Sequence, residues 1–179
     1  FVINIQPDQV AGVRDLLVRH GVAGATLYPM VRGRLSRIAD RPVDPDGYEE
    51  SRARRLAERE FNLSMLATAP ADNGIIAGRW WRPGETDQFS VEEGLAKRLG
   101  IRLGDRLEFD AGGLPLSGTV TSLRKVDWDN FRVNFFVIAP PGALDNLPAS
   151  YITSFHLPAP QRGALTELVG AFPNVTVID

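Results

Sequence analysis

The chain opens and closes on the same strand–helix–strand pattern, and this repetition narrows the available folds more than any other feature. Residues 1–6 alternate, with Phe1, Ile3 and Ile5 set against Val2, Asn4 and Gln6, the period of a strand. Pro7 suits a helix start, and Asp8 sits where the positive end of the macrodipole favours an acid. Val10, Val13, Leu16 and Leu17 follow at helical spacing, and Gly21 is placed to end that helix. A second strand is expected over residues 25–31, continuing past Gly33 to Ile38. At the other end residues 151–157 read as a strand, broken by Pro158 and Pro160. Leu165, Leu168, Val169 and Phe172 form an apolar helical stripe stopped by Pro173, and residues 175–178 close the chain as a strand. Each half has one helix to cover its strands, so each needs the other. The pairing predicts an α+β fold, a split βαβ ferredoxin-like sandwich built from residues 1–40 and 149–179. In such a sheet the first and last strands are antiparallel neighbours, so Phe1 and Asp179 should leave at one edge. The start at Phe1, within a strand pattern and without Met, reads as a piece cut from a longer protein.

The intervening 41–148 is too long for a loop and reads as an inserted, mainly β subdomain. Pro42–Gly47 is a turn cluster at its boundary. Residues 48–60 suit a short charged helix, and 61–67 a strand. Ser90 and Glu93 have capping-box spacing ahead of a helix bearing Leu95, Ala96 and Leu99 and ending at Gly100. Residues 106–109 and 114–126 predict two strands about a turn at 110–113. Residues 132–139 predict an almost wholly apolar strand.

Composition removes several classes of function. With 20 Lys+Arg against 22 Asp+Glu the net charge is −2, without the basic footprint of a nucleic-acid binder. There is no Cys, which excludes thiol nucleophiles, zinc-thiolate sites and disulfides. At 44% hydrophobic residues the chain is globular, and its size lets it bury roughly 70% of its unfolded surface without staples. No apolar run reaches the length of a membrane span. The phosphate-binding G-x-x-x-x-G-K-[ST] and the G-x-S-x-G elbow are both missing, so this chain is neither an ATPase nor an esterase of that type. No cofactor is expected.

The chemistry-bearing residues are few. His20 sits in a helix's last turn, where a cap or dipole role accounts for it. His156 falls on a terminal strand without a local partner. Asp127 and Asp129 flank Trp128, and on a strand both carboxylates would share one face. They read as exposed acids or as partners of Arg124 and Arg132. Asp44-Pro45-Asp46-Gly47 is a turn rather than a calcium loop. The arginines at 52, 54, 55 and 59 are balanced by the glutamates at 49, 50, 58 and 60, a solvated face. The most suggestive surface feature is Arg79-Trp80-Trp81-Arg82: adjacent residues of a strand point to opposite faces, which would leave one Trp for a partner or a lipid headgroup. Trp80, Trp81, Trp128 and Phe131 are the candidate contact residues. No residue is assigned a catalytic, metal or cofactor role.

Longer runs carry a resemblance. The segment 91–105, V-E-E-G-L-A-K-R-L-G-I-R-L-G-D, resembles the A-x-x-L-G-x-x-x-G-D segment of MacB-like periplasmic core domains. The run 122–136, S-L-R-K-V-D-W-D-N-F-R-V-N-F-F, is more specific. With Arg59-Glu60-Phe61-Asn62-Leu63 and Ala149-Ser150-Tyr151-Ile152-Thr153-Ser154-Phe155 it resembles the large extracytoplasmic domain of FtsX-like ABC permeases of the YbbP type. That resemblance implies a porter-like subdomain made from both chain ends with a smaller, Sabre-like β-rich insertion. It further implies a periplasmic, non-catalytic domain of an inner-membrane permease, with a separate cytoplasmic ATPase subunit driving it through the transmembrane helices of the same permease. The cargo implied is hydrophobic or lipid-like, and the full transporter a homodimer. Two rivals stand beside it: a scaffold that binds and regulates a periplasmic partner such as a cell-wall hydrolase, and a hydrolase using a nucleophile near His20 or His156.

Overall fold

The computed structural model describes residues 1–178; the exit expected at Asp179 lies outside them. The fold is mixed α/β, with eleven strands and four α-helices among the described residues. Its contacts divide into two units.

The first unit takes Phe1–Met30, Asn130–Val133 and the run from Ala149 to the end of the described residues. Strand β1 (Val2–Ile5) leads through a 3-10 turn at Pro7–Gln9 into helix α1 (Val10–Arg19). The first residues of β2 (Tyr28–Ile38) follow. At the other end come β10 (Ser150–Thr153), α4 (Gly163–Ala171) and β11 (Thr176–Val177). The strand order is β11-β1-β10-β2, and every pairing is antiparallel. The stripe predicted for α1 is its buried face. Val13, Leu16 and Leu17 join Val2, Ile5, Leu168 and Val175 in one apolar cluster. Gly12 matters here because a Cβ would stand 2.8 Å from the Phe172 ring. Phe1 and Ile178 exchange two hydrogen bonds, amine to carbonyl and amide to carbonyl, each 2.7 Å. The strand expected to reach residue 157 stops at Thr153, which leaves His156 in an irregular, exposed stretch.

The second unit comprises Val31–Asp129 and Asn134–Pro148. It holds the rest of β2, then β3 (Arg41–Pro42), α2 (Ser51–Glu58), β4 (Glu60–Met65), β5 (Asn73–Gly78) and β6 (Gln88–Glu92). After these come α3 (Glu93–Leu99), β7 (Arg106–Ala111), β8 (Leu114–Val126) and β9 (Val137–Ala139). β2 pairs with β4, β4 with β9, β9 with β6, β6 with β8, β8 with β7, and β7 with β2 again. Six strands thus close a ring, so none of them offers a continuous free edge. Inside it Phe109 meets Phe61 and Phe89 edge to face, with ring centroids 6.5 and 5.5 Å away. Leu35, Leu63, Val91, Leu107, Val120 and Ile138 of the same strands are also buried.

Three local expectations are corrected. The cap of α3 is Glu92, whose carboxylate accepts from the amides of Gly94 (2.9 Å) and Leu95 (2.8 Å); Ser90 is buried in β6. A carboxylate can do for a helix start what the Ser90–Glu93 box was expected to do. The strand expected over residues 132–139 is only Val137–Ala139. Ahead of it the Asp127 carboxylate accepts from the Asp129 amide and Asn130 Oδ1 from the Arg132 amide, both at 3.1 Å. Asp127 and Asp129 therefore belong to one side-chain-capped turn, followed by a second at Asn130, and not to one strand face.

Candidate functional site

The four candidate contact residues have four different environments. Phe131 is 88% exposed. It borders a cleft of the first unit with a volume of about 620 Å³, lined also by Phe1, Arg132, Phe155, His156 and Ile178. Trp128, in the second unit, is 46% exposed, its ring 4.7 Å from that of Phe136. Arg59 in turn lies over the Phe136 ring at 5.7 Å and the Phe61 ring at 5.3 Å, so this arginine belongs to an aromatic group rather than to a purely solvated face.

Trp80 and Trp81 correct the expectation made for them. β5 ends at Gly78, so neither residue is on a strand. Their rings stack at 4.0 Å instead of pointing apart. The Trp80 indole N–H donates to the carbonyl of Ala67 and that of Trp81 to the carbonyl of Leu66, both at 2.9 Å. Trp81 is 5% exposed and Trp80 half-buried. The loop that follows is tied by Glu85. Its carboxylate accepts from Arg79 at 2.8 and 3.0 Å and from the Arg82 amide at 2.6 Å. The Arg79 guanidinium holds the Glu85 carboxyl down at about 2. The pair is a structural pin, with its polar edges already satisfied.

The residue that sequence reasoning missed is Arg124. Expected as a surface partner for Asp127 and Asp129, it is fully buried in the second unit. Its guanidinium donates to Asn73 Oδ1 (2.6 Å), Ser90 Oγ (2.9 Å) and the carbonyls of Phe135 (2.9 Å), Phe136 (3.0 Å) and Ser90 (3.3 Å). Ser122 Oγ donates on to Ser90 Oγ at 2.7 Å. Burial pushes the Arg124 pKa down to about 10, partly opposed by the charge of Glu92. It stays a cation at neutral pH, held by neutral acceptors from β5, β6 and the approach to β9. The signal was available: along β8 residues 116, 118, 120, 122, 124 and 126 are all inward, and Arg124 has that parity.

The two histidines have different surroundings. His20 caps α1 and its Nε2 meets Glu167 Oε2, while Arg19 bridges the same carboxylate at 3.0 Å. The His20 hydrogen bond, with the Arg19 charge, holds the Glu167 carboxyl below the ordinary range. His156 is an exposed residue of the Phe131 cleft. Among the described residues no three His, Asp or Glu side chains are grouped to hold a metal ion.

Over all 179 residues the chain is 42% identical to the "Uncharacterized ABC transporter permease YbbP" of Escherichia coli strain K12. It spans 21% of that protein's length. A solved domain of a "putative Permease protein" from Porphyromonas gingivalis aligns at 14% identity with a TM-score of 0.42, covering 82% of this chain and 69% of that one. No family model matches.

Proposed function

This chain is a domain of an ABC transporter permease of the YbbP type, and from that premise we propose that it is the permease's non-catalytic extracytoplasmic part. In this reading it stands on the periplasmic side of the inner membrane. ATP is hydrolysed by a separate cytoplasmic subunit, and the transmembrane helices of the permease carry the stroke to this domain. The observation that carries the reading is the 42% identity, over all 179 residues, to a permease of which this chain spans 21%. No described helix is itself long and apolar enough to cross a membrane.

The finer architecture follows the same reading. In this reading the first unit, whose first segment ends at Met30 where residue 40 was expected, is the porter-like subdomain; its β11-β1-β10-β2 order supports a split βαβ, ferredoxin-like assignment. The second unit, Val31–Asp129 with Asn134–Pro148, is the Sabre-like insertion, and its closed ring of strands gives it the stiffness a lever arm needs. The cargo is hydrophobic or lipid-like, and Phe131 with its cleft is where an apolar chain would find contact. The scaffold alternative leaned on a Trp left free for a partner, and both indoles instead satisfy backbone carbonyls.

A topology measurement tests the location. Leu114, 46% exposed beside the β7–β8 turn, is changed to Cys in a full-length permease otherwise free of reactive thiols. A membrane-impermeant maleimide should label it in cells whose outer membrane alone is permeabilised. Labelling only after the inner membrane is breached overturns the reading. For the cargo, a photo-crosslinking amino acid at position 131 should capture lipid in membranes; capture of none overturns that assignment.

A further inference from the structure

Two cavities of the first unit share a wall. The cleft beside Phe131, about 620 Å³, and a second cavity of about 310 Å³ are both lined by Phe1, Phe155, His156 and Ile178. That wall is apolar apart from His156. Phe155 belongs to the irregular stretch after β10 and packs on the apolar cluster of the unit. Phe131 and Ile178 stay exposed in the larger cleft, and contiguous exposed apolar surface of this kind marks a contact site. Each cavity then adds one arginine, Arg132 in the larger and Arg162 in the smaller. Neither takes an aspartate or glutamate from the described residues. This one-signed lining does not reflect the whole chain, in which 22 Asp+Glu outnumber 20 Lys+Arg.

We propose that the larger cleft takes a single-chain amphiphile with an anionic head. The hydrocarbon lies against Phe131, Phe155 and Ile178, and a carboxylate or phosphate is held by Arg132 and His156. The inference rests on the reading of this cleft as the cargo contact and names the head which that reading left open. The volume falls within the range of about 300–1,000 Å³ that small-molecule sites occupy. A guanidinium carries five N–H donors, so Arg132 can hold an anion and keep the contacts it makes within the chain. An imidazole offers an N–H in either protonation state. Hydrogen bonds from a cation to an anion are the stronger kind, whereas a quaternary ammonium head would meet like charge at Arg132.

Four dodecyl probes, used below their micelle concentrations, test this by titration calorimetry on the 179-residue chain: dodecanoate, dodecyl phosphate, neutral dodecyl maltoside and cationic dodecyltrimethylammonium. Inorganic phosphate serves as the head without a tail. One or both anionic probes should bind about tenfold more tightly than the maltoside, and the cationic probe most weakly. Whichever anion binds identifies the head as carboxylate or phosphate. Arg132→Gln should bring the anionic probes down to the maltoside's affinity, and Arg132→Lys should keep most of the preference. Phe131→Ala should weaken the anionic probes and the maltoside alike, while Arg52→Gln, on α2 of the second unit, should change nothing. Equal affinity for anionic and neutral heads, or equal losses from Arg132→Gln and Arg52→Gln, overturns the head assignment and leaves the apolar cargo reading standing. Inorganic phosphate binding as tightly as dodecyl phosphate overturns the amphiphile in favour of a plain anion site. Binding of no dodecyl probe overturns the proposal and the cargo reading of the cleft together.

Discussion

Arg124 Nη1 donates to Asn73 Oδ1 at 2.6 Å, a bond from the inward face of β8 to the first residue of β5. It belongs to a guanidinium that satisfies five acceptors with no carboxylate in direct contact. A cation in this position stays because leaving the acceptors unpaired would cost more than its own desolvation. Arg124→Met keeps the volume and strands those acceptors, so it should lower the unfolding free energy by about 3–5 kcal/mol. Arg124→Lys should recover less than half, because an ammonium cannot copy the planar fork. Chemical denaturation reads both, and an Arg124→Met variant within about 0.5 kcal/mol of the unmodified chain would sink the claim.

The same residue shows where the sequence was readable and where it was not. The alternation of β8 runs unbroken from Leu116 to Val126, and its parity alone points Arg124 inward. What one strand could not show was the supply of acceptors: Asn73, Ser90 and the carbonyls of residues 135 and 136 come from parts of the chain 11 to 51 residues away. Ring closure was hidden for the same reason, since β2 meets β7 across the whole intervening segment and no local period encodes that. Local chemistry was more legible. Gly100 ends α3 in the left-handed region at φ 74°, as its place after Leu99 suggested. The D-W-D-N run held the turn-forming side chains that stop β8, yet the apolar residues after it outweighed them in the strand expectation. Of the candidate contact residues, the exposure of Phe131 came from the fold. The indole partners of Trp80 and Trp81, residues 66 and 67, lie well upstream and outside any local pattern.

The Arg79–Glu85 pair gives a pH signature. The Glu85 carboxyl titrates at about 2 in the folded chain, against an ordinary value of 4.5, chiefly through its hydrogen bonds from Arg79. A carboxylate whose folded pKa is depressed contributes stability that is complete above its unfolded value and is lost as pH falls toward the folded one. The window is therefore pH 4.5 down to 2. NMR titration of the Glu85 carboxyl carbon should find a midpoint near 2, and Arg79→Ala should raise it toward the ordinary value. A midpoint unmoved by Arg79→Ala would assign the shift to the backbone amide of Arg82 instead.

Gly78 closes β5 at φ 70°, and a Cβ there would stand 2.1 Å from the Thr121 carbonyl oxygen. Both the left-handed backbone and the contact with an immobile backbone atom exclude a side chain. Gly78→Ala should cost about 3 kcal/mol, whereas Gly74→Ala, with open space at its Cβ, should stay within about 0.5 kcal/mol of neutral. Thermal denaturation of the two variants separates them. Equal behaviour would mean that β5 can leave β8 without penalty.

The two tryptophans are stacked neighbours with unequal burial, and their substitutions should differ accordingly. Trp81 is 5% exposed and donates to the Leu66 carbonyl. Trp81→Ala removes a buried indole and should cost about 3–5 kcal/mol, while Trp81→Phe, which mainly strands that carbonyl, should cost about 1–2 kcal/mol. Trp80 is half-buried and donates to the Ala67 carbonyl. Water can replace its hydrogen bond, so Trp80→Ala should cost only about 1 kcal/mol. Denaturant midpoints rank the three. If Trp80→Ala matched Trp81→Ala in cost, the indoles would share one buried environment. If Trp81→Ala were nearly neutral, the loop of residues 79–85 would be held by Glu85 alone and the stack would lie free for a partner after all.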